Sequence, residues 1–116
     1  MRIVFYTTIN KCPVQDFIKK LEVKDRAKIL ACLKSVEELG FECPRVQFRQ
    51  IKQKLWEIKI KGADTGYRIF YIGIRNNSLV LLHAYKKQSQ KAPTKEIDIA
   101  EKRMLEVLRN ENDYIN

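Results

Sequence analysis

Apolar residues first recur along the chain with a period near two. Residues 2–8, RIVFYTT, are β-branched and aromatic and predict a strand. The period then changes. Val14, Phe17, Ile18 and Leu21 follow Pro13 at helical spacing, and Pro suits a first helical turn. Ile29, Leu30, Leu33 and Val36 mark a second helix over about residues 24–39, with Asp25 near its start and Gly40 at its stop. The two helices read as a hairpin laid on one face of a sheet. Three strand-like runs follow: 54–61, 66–75 and 78–87. Asn76-Asn77 sits between the last two and tolerates positive φ, so a two-residue hairpin turn is expected. After Pro93, Ile97, Ala100, Met104, Leu105 and Leu108 form the stripe of a final helix over 94–109, with Thr94 as its N-cap. The order β-α-α-β-β-β-α predicts an α+β fold. It forms a single domain over residues 1–110, and the polar tail 111–116 is expected to fray.

The hairpin fixes a register. If Arg75 pairs with Ser78, then Arg68 faces Tyr85, Phe70 faces His83 and Ile72 faces Leu81. Directly opposed residues share a face. One face then carries Arg68, His83, Tyr85 and Lys87. The other carries Ile69, Tyr71, Val80, Leu82 and Ala84, and should take the helices. On the run 54–61, either alternating set could join the Arg68 face. A one-residue slip would reverse the faces.

Charge sharpens this picture. The 116 residues hold 23 Lys and Arg against 14 Asp and Glu, a net charge of +9. Residues 44–95 contain twelve cations and only two acids, Glu57 and Asp64, so they hold essentially the whole excess. A segregated positive field is what phosphate binding requires. Taken singly, each residue has an ordinary reading: Arg68 paired with Glu57, His83 half-buried, Lys86 and Lys87 a solvated strand end. Their convergence on one small area argues for a site.

Other chemistries find little support. The chain has 4 Gly and no phosphate-loop cluster, and its one His and three scattered Cys offer no metal-ligand spacing. Neither a metal nor a cofactor is expected. Cys12, Cys32 and Cys43 read as free thiols of a reducing cytoplasm. No stretch has the length of a signal or membrane segment, so the protein is expected in the cytoplasm, away from membranes.

The runs LWEIKI, YRIFYI and LVLLHAYKKQSQKAPTKEI, followed by AEKRMLEVL, resemble the HigB/RelE-type toxins of bacterial toxin–antitoxin modules. The likeness is to their phage-derived, HigB-like branch, and is close over about residues 53–108. The resemblance implies a small sheet with an N-terminal helical hairpin. It also implies cleavage of mRNA, usually on the ribosome, and neutralisation by a cognate antitoxin such as a helix-turn-helix protein. By position, Arg68 is the strand arginine at the phosphate, Lys86 and Lys87 are the basic residues near the scissile bond, and Tyr85 fills an aromatic position often held by Phe. RelE carries a catalytic tyrosine near its chain end, whereas here a full helix follows the last strand. The general base therefore stays open among Lys86, Lys87 and His83, and so does the proton donor, for which Tyr85 is a further candidate.

Metal-free cleavage through the RNA's own 2′-hydroxyl needs a phosphate clamp, charge neutralisation and two proton transfers. Arg68, His83, Tyr85, Lys86 and Lys87 are the candidate catalytic residues. Lys52, Lys54, Lys59, Lys61, Lys91 and Lys95 are candidate RNA contacts. The alternatives are a non-catalytic RNA-binding module using the same face, and an interaction protein that grips an acidic partner.

Overall fold

The computed structural model describes residues 1–115. Its elements are β1 (Arg2–Phe5), α1 (Pro13–Lys19), α2 (Val23–Leu39), β2 (Gln47–Lys52), β3 (Leu55–Lys61), β4 (Gly66–Ile74), β5 (Ser78–Lys86) and α3 (Thr94–Arg109). One five-stranded sheet has the order β1-β5-β4-β3-β2. Strands β2 to β5 form an antiparallel meander, and β1 returns parallel beside β5, with Arg2 opposite Ser78 and Phe5 opposite Leu81. This is the α+β fold the periodicity predicts, with one strand added. The added strand, β2, reads QFRQIK, and its mixed alternation and partial exposure are those of a sheet edge.

The helical hairpin covers one face. Pro13 opens α1, with Asp16 in its first turn and Lys19 in its last, both favourable to the helix dipole. Val14 and Ile18 of α1 and Ile29, Cys32, Leu33 and Val36 of α2 pack on Ile58, Ile60, Ile69, Tyr71 and Leu81. Each fully buried side chain of this kind contributes about 1.5–3 kcal/mol. Leu30, expected in the stripe, is exposed, and Cys32 takes the inward place. All three cysteines are free thiols.

Helix α3 covers the opposite face. Ala100 and Val107 are buried against Phe70, Ile72, Val80 and Leu82, whereas Leu105 points outward. Thr94 is not the N-cap. Pro93 occupies that position, and its carbonyl accepts the amides of Glu96 and Ile97 at 3.1 Å each.

The β4–β5 register holds at one end and shifts at the other. Arg68 faces Tyr85 and Phe70 faces His83, as the turn implies. However, Ile74 rather than Arg75 pairs with Ser78, which leaves a three-residue loop, and Ile72 meets Val80 rather than Leu81. Asn76 and Asn77 both take positive φ, at 64° and 53°. An irregularity between Phe70 and Tyr71 absorbs the difference. Val80 and Leu82 therefore lie under α3, and Leu79 and Leu81 take their expected places under the hairpin.

The tail is docked as far as it is described. Glu111–Tyr114 forms a 3-10 turn, Arg75 bonds Glu111 and Asn112, and Arg2 donates to the Tyr114 carbonyl at 2.6 Å. Asn116 lies outside the described residues. Among those residues, no helix is long and apolar enough to cross a membrane.

Candidate nucleic-acid interface

Cross-strand pairing sets two rows of side chains on the α3 side of the sheet. One runs Arg49, Glu57, Phe70, His83, and the next runs Gln47, Lys59, Arg68, Tyr85. Helix α3 packs over Phe70 and Ile72 and leaves the far end of this face open. A cleft of about 630 Å³ results, to which Arg45, Lys59, Lys61, Arg68 and Lys87 contribute cations and Asp64 the one lining acid.

Glu57 lies beneath these cations, completely buried. Its Oε1 is 2.9 Å from Arg49 Nη2 and 3.7 Å from Arg68 Nε, and its Oε2 accepts the Tyr85 hydroxyl at 2.7 Å. A carboxylate taken out of water is costly unless partners satisfy it, and here two guanidiniums and a hydroxyl do so. The arrangement also fixes the arginines. Arg49 Nη1 donates to the Gln90 carbonyl at 3.3 Å and Arg68 Nη1 to the Tyr67 carbonyl at 3.1 Å. Arg49 Nε is buried without a hydrogen-bond partner.

Two shifts follow from this crowding. Burial, with the nearby Arg49 and Arg68 guanidiniums, holds the Lys59 ammonium below its ordinary pKa. Burial, the hydrogen bond to Glu57 and its charge push the Tyr85 hydroxyl far above its ordinary value, so it stays a proton donor to Glu57.

His83 stands apart from the cleft. Its ring lies near-parallel to those of Phe70 and Tyr85, each centroid 6.3 Å away. Nε2 is 2.7 Å from Glu96 and Nδ1 is 3.3 Å from Arg103, both on α3. Arginine can only donate, so Nδ1 accepts and Nε2 carries the proton toward Glu96. Burial lowers the His83 pKa against the opposing effect of Glu96.

The sequence candidates thus separate. Arg68 and Lys87 meet in the cleft, and Gly66 lets them: a Cβ there would lie 3.0 Å from Arg68 Nη1 and 3.5 Å from Lys87 Cδ. Tyr85 lies below the cleft, and His83 holds α3. Lys86 pairs with Tyr67 on the helical-hairpin side, away from Arg68. Of the RNA-contact candidates, Lys59 and Lys61 line the cleft. Lys52 pairs with Glu101 at 3.3 Å, Lys54 borders an adjoining aromatic groove, and Lys91 and Lys95 are exposed outside the cleft. Arg45 and Arg49 were not singled out by the sequence reading, and Glu57 entered it only as a salt-bridge partner. Period-two spacing of Gln47, Arg49 and Ile51 was the available signal, but β2 was not recognised.

Among the described residues, no cluster of His, Cys, Asp and Glu is arranged to hold a metal ion. No curated protein matches the chain significantly. A family profile described as "Phage derived protein Gp49-like (DUF891)" matches residues 16–105. The matched span runs from α1 into α3 and contains every residue that lines the basic cleft. The chain therefore belongs to the phage-derived Gp49-like family, which is associated with toxins of toxin–antitoxin modules.

Proposed function

We propose that the protein is the toxin of a toxin–antitoxin module and cleaves mRNA, as the HigB/RelE resemblance implies. In this reading it acts in the cytoplasm on ribosome-borne message and a cognate antitoxin holds it inactive. The observation that carries the reading is the convergence of Arg68, Lys59 and Lys87 on one cleft above the buried Glu57.

The RNA 2′-oxygen attacks the adjacent phosphorus, and the bond from phosphorus to the 5′-oxygen breaks. The products are a 2′,3′-cyclic phosphate and a free 5′-hydroxyl. Arg68 grips the non-bridging oxygens, its inner edge already held toward Glu57. Lys59, whose burial and crowding by Arg49 and Arg68 hold its ammonium below the ordinary pKa, is the group placed to take the 2′-hydroxyl proton. Lys87 neutralises the developing charge and gives a proton to the leaving 5′-oxygen. Tyr85 and His83 act indirectly, Tyr85 by seating Glu57 and His83 by anchoring α3.

The test is cleavage of a defined mRNA, with and without ribosomes, by wild type and Arg68→Ala. Loss of one transition-state charge contact costs about 10²–10³ in rate. Undiminished cleavage by a folded Arg68→Ala overturns the reading. RNA binding without cleavage by wild type leaves a non-catalytic binding module.

A further inference from the structure

A second opening, of about 1030 Å³, lies at the β2 edge on the helical-hairpin side of the sheet. Its walls are aromatic. Trp56 sits opposite Tyr71, and Phe48 makes edge contacts with Phe41 at 5.1 Å and Tyr71 at 6.1 Å between centroids. Phe41 is 58% exposed and Trp56 is half-buried, so aromatic surface faces solvent. The charged residues lining the opening are Arg49, Lys54 and Lys59, with no acid among them. It adjoins the basic cleft, since Val46, Gln47 and Lys59 line both.

We propose that this groove stacks an unpaired nucleobase of the same RNA strand whose phosphate occupies the Arg68 cleft. The inference rests on the proposed RNA substrate and adds a base-binding subsite to it. A nucleotide carries a flat apolar face and an anionic phosphate on one unit. The groove presents aromatic walls and a purely cationic border. Continuity around the β2 edge gives the strand a path between the two sites. An acidic amphipathic protein helix would also meet apolar walls and cations, but nothing in it accounts for continuity with the Arg68 cleft.

Trp56 is the sole tryptophan, so its fluorescence reports on the groove directly. The full chain is titrated with single-stranded oligoadenylate, with an oligomer of equal length bearing abasic sites, and with inorganic polyphosphate. Oligoadenylate is expected to quench Trp56, and the two base-free polyanions are expected to bind without quenching. Trp56→Leu should weaken oligoadenylate binding roughly 5- to 150-fold. It should leave polyphosphate affinity unchanged, and Trp56→Phe should restore most of the loss. Oligoadenylate bound without quenching, or with equal affinity by Trp56→Leu, overturns the subsite while the RNA reading stands, and leaves the groove to a protein partner. Failure of wild type to bind any RNA overturns both.

Discussion

The Tyr85 hydroxyl donates a 2.7 Å hydrogen bond to Glu57, and that carboxylate in turn holds Arg49 and Arg68, the latter lining the open basic cleft. Behind the cations of the proposed phosphate site thus lies a negative charge, buried and bound to Arg68, the group that would grip the phosphate. Its effect is orientation at the cost of attraction.

Glu57→Gln separates these two effects. Removing the negative charge leaves the cleft more positive, so RNA should bind at least as tightly. The arginines lose their common anchor, so the cleavage step should slow about 10²-fold. Single-turnover rates beside anisotropy binding check this. Glu57→Ala leaves the two guanidiniums facing a void and should cost about 3–5 kcal/mol of stability in denaturant melts.

Lys86 and Lys87 are neighbours in sequence but face opposite sides of the sheet. Lys87→Ala should cut cleavage by about 10²-fold, and Lys86→Ala should leave it within about twofold. Growth arrest on expression without antitoxin, with thermal melts as the folding control, distinguishes them. Equal loss in both variants would contradict the placement of the cleft.

His83 is the sole histidine, and burial lowers its pKa in the folded state. The unfolded chain therefore binds more protons below about pH 6.5, and stability must rise with pH across that window. Acidification from pH 7 through 6 should lower the melting temperature of wild type. His83→Phe, which keeps an aromatic ring beside Phe70 and Tyr85, should flatten the slope there. The same slope in both proteins would assign it to other groups.

The proposed chemistry draws its nucleophile from the RNA itself. Cleavage should therefore persist in excess chelator on ribosome-free substrate. Loss of cleavage restored by a divalent ion would contradict the mechanism.

Gly66 gives a test by bulk rather than charge. A Cβ at this position meets the Arg68 guanidinium, the movable end of a long side chain. Gly66→Ala should fold nearly as well as wild type yet displace Arg68 and reduce cleavage.

The elements most legible in the sequence were those whose apolar spacing was unbroken. Val14 and Ile18, the strand runs through Ile58, Ile69 and Leu82, and the stripe Ala100–Met104 all sit in the elements expected of them. The pairing of Arg68 with Tyr85 was readable because alternation from a nearby turn carries over a few residues. It failed beyond Phe70, where an irregularity that no residue type announces shifts the count by one. The candidate site was legible in its cations and obscure in its geometry. Arg49 belongs to an edge strand whose polar composition resembles a loop, and burial of Glu57 depends on partners from three different strands. His83 and Tyr85 share the Arg68 face as expected, but sequence gave no sign that α3 would cover the part of it holding His83.

β1 pairs with β5 across most of the chain, with Arg2 beside Ser78. On a ribosome, the first strand and the helical hairpin emerge long before the strands they rest on. Until β5 has left the exit tunnel, the hairpin has no completed sheet to seal, and Tyr85 is not there to seat Glu57. Vectorial synthesis therefore delays the basic face until β5 has emerged, and a nascent chain stalled before that point carries its cations without an assembled cleft.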